Sequence, residues 1–207
     1  MLATGVIPVV RAPSSADALR AVEAMRTGGI DIVELTMTVP DAVHVISEVA
    51  RRYGDSVVVG AGTVLDAATA RACILAGASF VVSPIVDEEM MACCRTYSIP
   101  VMPGALTPTE IVRAWRAGAD LVKVFPCGAV GGASYLRAIR APLPQIDLVP
   151  TGGVSLKTVG ELIQAGACAV GAGADLVDLG LLREGKDAAL AENARRYVEA
   201  VRTARRA

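Results

Sequence analysis

Lys123 is one of only three lysines in a 207-residue chain that otherwise relies on arginine; the others are Lys157 and Lys186. It sits in the middle of the apolar run Leu121-Val122-Lys123-Val124-Phe125. Burying an ammonium is costly unless it is paired or neutral. Desolvation favours the neutral amine, the form that attacks a carbonyl carbon. The chemistry that follows is imine formation with a ketone. The same spacing also fits a lysine that snorkels from a strand end to solvent. Glu34 has a similar setting in Ile32-Val33-Glu34-Leu35-Thr36. Side chains alternate along a strand, so Glu34 shares a face with Ile32 and Thr36. A carboxylate facing that amine makes a proton shuttle, and a structural ion pair between two strands fits as well.

Two glycine-rich segments, Val149-Pro150-Thr151-Gly152-Gly153-Val154 and Val170-Gly171-Ala172-Gly173-Ala174, each end an apolar run ahead of a helix. Backbone N–H groups in such turns can hold a phosphate, and tight turns without a ligand read the same way. In Gly60-Ala61-Gly62-Thr63-Val64 the glycines allow close backbone approach, and Thr63 offers a hydroxyl. Arg11 ends the first apolar run, where it can hold a carboxylate or face solvent. His44, the single histidine, falls on a helical pattern and reads as a surface or packing residue. With no second histidine a zinc site has little to work with, so no metal is expected.

These residues need elements to position them. Eight short apolar runs cover residues 6–10, 31–35, 57–60, 80–83, 101–103, 121–125, 148–150 and 169–171. Helical patterns lie between them at 15–26, 41–53, 66–76, 87–97, 108–117 and 156–165, several ending in Ala-Gly or Gly-Gly. Glycine there suits the left-handed residue that closes a helix. Continuous apolar strands are buried on both faces, as in parallel sheets. Eight such units predict a (β/α)8 barrel, a TIM barrel, as one domain over residues 1–207; an open doubly wound sheet is the rival. In a barrel the chemistry gathers at the carboxyl ends of the strands. That singles out Arg11, Glu34, Thr36, Thr63, Ser83, Pro84, Gly104, Lys123, Phe125, Thr151 and the two glycine clusters.

Composition narrows the function classes. Hydrophobic residues make up 53% of the chain. So apolar a chain is expected to leave apolar patches that another copy covers. A net charge of −1 offers no basic face for nucleic acid. No apolar run reaches the roughly 18 residues of a membrane span, and the first ten residues lack the pattern of a signal peptide. Five cysteines, an odd number without metal-type spacing, read as reduced thiols in a cytoplasmic protein.

The set Ile7-Pro8-Val9-Val10-Arg11-Ala12, Val33-Glu34-Leu35-Thr36-Met37-Thr38-Val39-Pro40, Gly60-Ala61-Gly62-Thr63-Val64, Ser83-Pro84, Met102-Pro103-Gly104, Val122-Lys123-Val124-Phe125-Pro126 and Pro150-Thr151-Gly152-Gly153 strongly resembles the KDPG/KHG aldolase family. These are the 2-dehydro-3-deoxy-6-phosphogluconate and 4-hydroxy-2-oxoglutarate aldolases, and the likeness runs from about residue 6 to 177. The resemblance implies a homotrimeric barrel that splits a 2-keto acid substrate into pyruvate and an aldehyde without a cofactor. It implies Lys123 as the Schiff-base lysine and Glu34 as the acid/base group. Arg11, Thr63, Pro84, Phe125 and Thr151 would meet the substrate, and Gly152, Gly153, Gly171, Gly173 and Ala174 its phosphate. Related readings are an aldolase for the 6-phosphogalactonate epimer and a trimeric barrel scaffold without catalysis.

Four features depart from the family's pattern. Thr38 stands where some members have an arginine, with Arg11 as the replacement contact. Ala174 stands where many have a serine that helps hold phosphate. Gly128 stands where an acidic residue is common. The chain also begins almost at its first strand, where many members carry a preceding helix.

Overall fold

The computed structural model describes residues 3–206. Met1, Leu2 and Ala207 lie outside them, including the first residues of the segment read as leader-free and both ends of the expected domain. Nine short strands follow one another: β1 (Val6–Val10), β2 (Ile32–Thr36), β3 (Val58–Gly62), β4 (Val81–Val82), β5 (Val101–Met102), β6 (Gly104–Ala105), β7 (Val122–Val124), β8 (Leu148–Pro150) and β9 (Val170–Ala172). Every strand residue is buried except Val58. Every ladder is parallel. The helices are α1 (Ser15–Thr27), α2 (Ala42–Tyr53), α3 (Ala67–Leu75), α4 (Glu88–Thr96), α5 (Pro108–Arg116), α6 (Ala133–Arg140), α7 (Val159–Gln164), α8 (Leu179–Arg183) and α9 (Asp187–Arg206).

Local chemistry sets the helix starts. Asp66 and Asp87 accept the Thr69 and Met90 N–H groups, both at 2.7 Å, at the heads of α3 and α4. Thr107 and Glu110 form a reciprocal capping box on α5, with Pro108 at its first position. The helix-to-strand connections close on glycines with positive φ at 29, 77, 118 and 166, the conformation the Ala-Gly and Gly-Gly pattern predicted. Residues 156–158, expected as the head of a helix, form a turn ahead of α7.

The ladder divides into a six-stranded sheet, β5-β4-β3-β2-β1-β9, and a three-stranded sheet, β6-β7-β8. β5 falls in the run expected at 101–103, and β6 carries the chain beyond it after a break at Pro103, which has no N–H to give. The Pro103 carbonyl still accepts the Lys123 N–H at 2.9 Å. On the other side the sheets are linked by the Cys168 N–H to the Leu148 carbonyl at 3.1 Å and by a parallel bridge between Thr151 and Gly171. The strands thus form two linked parallel sheets, curled around a common interior with the helices outside. β2 and β7 belong to different sheets, yet their side chains meet across that interior.

All five cysteines are free. Cys93 is half-buried and Cys94 buried, pointing apart as adjacent helical residues must. Burial pushes the Cys73, Cys94 and Cys168 thiols up to about 11. Among the described residues no helix is long and apolar enough to cross a membrane.

Candidate active site

Strand alternation dictates which side chains enter the interior. Val122 and Val124 face outward from β7 into the helix layer, and Lys123 between them faces in. Glu34 does the same on β2. Lys123 and Glu34 are 2% and 1% exposed, and the Lys123 Nζ lies 3.8 Å from Glu34 Oε1. That oxygen has no hydrogen-bond partner among the described residues. A buried carboxylate oxygen left without a donor is costly, and such groups concentrate where function needs them. Lys123 is the only buried lysine; Lys157 and Lys186 are exposed. The snorkelling alternative therefore does not hold.

β3 supplies the space. Its register sets Glu34 beside Gly60 and Thr36 beside Gly62. A Cβ on Gly62 would fall 2.1 Å from Glu34 Oε1, and one on Gly60 would fall 2.3 Å from the Phe80 ring. The two glycines, two residues apart on one face, let the carboxylate and a phenyl ring occupy the interior.

The remaining expected site residues surround this pair. Phe125, half-buried, faces the same way as Lys123, and its ring centre lies 5.3 Å from Nζ. Thr63 is half-buried with a φ of 61°, an uncommon conformation for threonine. Pro84 is half-buried, and its backbone packs so closely on Gly104 that a Cβ there would fall 2.4 Å from the Pro84 carbonyl. Thr151 is buried, with Oγ1 2.3 Å from where a Gly171 Cβ would stand. Thr36 is buried; its hydroxyl meets the Val10 carbonyl at 3.1 Å and the Thr38 hydroxyl at 2.6 Å. Arg11 is exposed at the end of β1, with a guanidinium nitrogen 3.6 Å from the Cβ position of Gly173. It therefore borders the glycine segment after β9. His44 is exposed on α2, away from the interior. Among the described residues no three His, Cys, Asp or Glu side chains gather as metal ligands.

The two glycine segments lie side by side through the Thr151–Gly171 bridge. Gly152 and Gly153 turn with φ of 86° and 76°. Gly173 is half-buried and Ala174 exposed at the end of β9. The Cys127 and Gly128 N–H groups donate to the Thr151 and Gly152 carbonyls, both at 2.9 Å. A side chain at 128 would meet the Gly152 oxygen at 2.9 Å and the Gly153 Cα at 3.0 Å. Gly128, the departure from the family's acidic residue, is what lets this turn sit so close. Behind it a cavity of about 420 Å³ is lined by Cys127, Gly128, Gly132, Gly152, Gly153 and Glu161. Two residues that sequence reasoning passed over, Asp175 and Tyr197, hydrogen-bond each other beside these segments at 2.5 Å. The signal for Tyr197 was its place in the spacing Leu190, Ala194, Tyr197, Val201, the buried stripe of α9.

Comparison with known proteins agrees with this geometry. A sequence model of the family "Aldolase: KDPG and KHG aldolase" matches residues 1–192. The 2-dehydro-3-deoxy-phosphogluconate aldolase of Treponema pallidum is 37% identical over 158 residues, 76% of this chain and 75% of the relative. The 2-dehydro-3-deoxy-6-phosphogalactonate aldolase of Escherichia coli K12 is 33% identical over 199 residues, 96% of this chain and 95% of the relative. The structure of KDPG aldolase from Legionella pneumophila, with pyruvate captured as a covalent carbinolamine intermediate, superposes with a TM-score of 0.85 at 30% identity, covering 92% of each chain. The relatives are carbon–carbon lyases, and this chain belongs to the KDPG and KHG aldolase family.

Proposed function

We propose that the chain is a class I aldolase that cleaves 2-keto-3-deoxy-6-phosphogluconate, or a close 2-keto-3-deoxy or 4-hydroxy-2-oxo acid, to pyruvate and an aldehyde. The aldehyde is glyceraldehyde 3-phosphate or, from 4-hydroxy-2-oxoglutarate, glyoxylate. The observation that carries the reading is the buried amine–carboxylate pair, Lys123 and Glu34, 3.8 Å apart across the interior.

The Lys123 amine adds to the C2 ketone, and loss of water leaves an iminium. The Glu34 carboxylate takes the proton of the C4 hydroxyl, directly or through a water. The C3–C4 bonding pair moves to the iminium nitrogen, the aldehyde leaves, and an enamine remains. A proton returns to C3, and hydrolysis of the iminium frees pyruvate and the amine. The protonated imine is itself the electron sink. Phe125 walls the reacting carbon, Pro84 and Thr63 shape the keto-acid end together with Thr151, and Arg11 offers charge to a carboxylate. The backbone around Gly152, Gly153, Gly171, Gly173 and Ala174 takes the phosphate.

A second reading, cleavage of the galactonate epimer, has support in the relative that aligns along 96% of the chain. Leu65, Leu75, Ile85 and Trp115 are exposed at 51%, 62%, 47% and 43%, apolar surface suited to further copies in a homotrimer. Five free thiols suit a cytoplasmic location.

The test is pyruvate release from a panel: the 6-phosphogluconate-derived substrate, its C4 epimer and 4-hydroxy-2-oxoglutarate. The reading expects the highest kcat/KM on one of the phosphorylated acids. Pyruvate release from none of them contradicts it.

A further inference from the structure

One carboxylate oxygen ties the two glycine segments to the last helix. Asp175 follows Ala174 directly. Its Oδ1 accepts the Tyr197 hydroxyl at 2.5 Å and the Leu156 N–H at 3.1 Å. Leu156 lies just beyond Gly153 in the turn after β8, and Tyr197 comes from α9. Three stretches of chain thus converge on a single atom. Tyr197 is 0% exposed, whereas Asp175 is exposed on the loop. The phenol is therefore the buried partner, and the loop carboxylate the exposed one. Burial first, and the hydrogen bond to Asp175 next, raise the Tyr197 pKa, so the phenol remains a donor at neutral pH.

The tie matters because of Ala174. With no hydroxyl at that position, backbone N–H groups from two separate loops carry more of the hold on a phosphoryl group. Hydrogen bonds weaken steeply with distance and angle. Their combined grip then depends on the spacing between the loop after β8 and the loop after β9. Asp175 bridges that spacing, and Tyr197 fixes Asp175.

We propose that Tyr197, acting through Asp175, is a positioning residue that sets the spacing of the two glycine loops for the phosphate end of the substrate. This inference rests on the phosphorylated-substrate reading given above. A tyrosine that only fills the core would affect every substrate alike.

The test uses the full chain carrying Tyr197→Phe, Asp175→Ala or Asp175→Asn. Pyruvate release is measured from 2-keto-3-deoxy-6-phosphogluconate and from 4-hydroxy-2-oxoglutarate, with inorganic phosphate as a competitive inhibitor. For Tyr197→Phe and Asp175→Ala, KM for the phosphorylated acid and Ki for phosphate rise about tenfold, the scale of one hydrogen bond to a charged group. Their kcat, and KM for the unphosphorylated acid, stay near wild type. Asp175→Asn keeps a carbonyl that accepts both hydrogen bonds and stays close to wild type. Equal losses on both substrates, or unchanged KM and Ki, overturn the proposal. If Tyr197→Phe fails to fold, the Asp175 pair carries the same comparison. Wild-type protein that works only on the unphosphorylated acid and ignores phosphate overturns this inference and the phosphorylated-substrate reading, and leaves the aldolase reading standing. Wild-type protein inactive on both acids and on the C4 epimer overturns the aldolase reading, and this inference with it.

Discussion

Gly62→Ala is expected to disable proton transfer while leaving both reacting groups in the chain. The new Cβ would fall 2.1 Å from Glu34 Oε1, and ordinary contact begins at 3.4 Å, so the carboxylate must move by about 1.3 Å. Glu34 is 1% exposed and has no open solvent to move into. A misplacement near 1 Å at a reacting centre costs roughly 100-fold in rate. That lies within the roughly 10²- to 10⁴-fold that a positioned acid or base contributes. We expect kcat for pyruvate release to fall about 100-fold, while Lys123 still forms a reducible adduct with pyruvate. Overpacking also costs about 1–3 kcal/mol, so urea denaturation must first establish that the variant is folded. A folded Gly62→Ala enzyme with wild-type kcat would refute the assignment of Glu34 as proton carrier.

Lys123→Met leaves the buried Glu34 side chain without its amine partner. Urea unfolding should show a loss of about 3–5 kcal/mol, largely recovered when Glu34→Leu is added; a single variant as stable as wild type contradicts the buried pair. Gly128→Asp pushes on Gly152 and Gly153, so KM for the phosphorylated substrate should rise several-fold with little change for the unphosphorylated acid. Equal KM changes would show that this turn does not serve the phosphate. The three thiols raised to about 11 remain protonated in the folded state while unfolded thiols ionise from about 9 upward. Their contribution is therefore complete below pH 9 and lost as pH rises toward 11. The urea midpoint should fall as pH rises from about 9 toward 11, less steeply in Cys168→Ala, and a flat profile would contradict the buried-thiol account.

The buried pair was legible because charge inside an apolar strand is rare enough to be informative. Lys123 and Glu34 stand out against Val122, Val124, Val33 and Leu35 with no knowledge of three-dimensional contacts. Strand positions were legible for the same reason, since runs buried on both faces need no alternation. The split at Pro103 was foreshadowed by a residue without an N–H, but whether the ladder would continue past it depends on both neighbouring strands. Residues 133–140 and the short helix 179–183 carried less pattern than the segments around them. The meaning of Gly128 could not be read from the chain, because it depends on the carbonyl of Gly152, which arrives from the next strand. The same holds for Asp175 and Tyr197, whose contact joins positions 22 residues apart on elements that only the fold brings together.

Borohydride reduction in the presence of pyruvate, followed by intact-mass measurement and peptide mapping, tests the central claim most directly. The account predicts one pyruvate-derived adduct per chain, carried by Lys123 and absent from Lys123→Ala. A well-folded protein that gains no adduct, or gains it on Lys157 or Lys186, would contradict it.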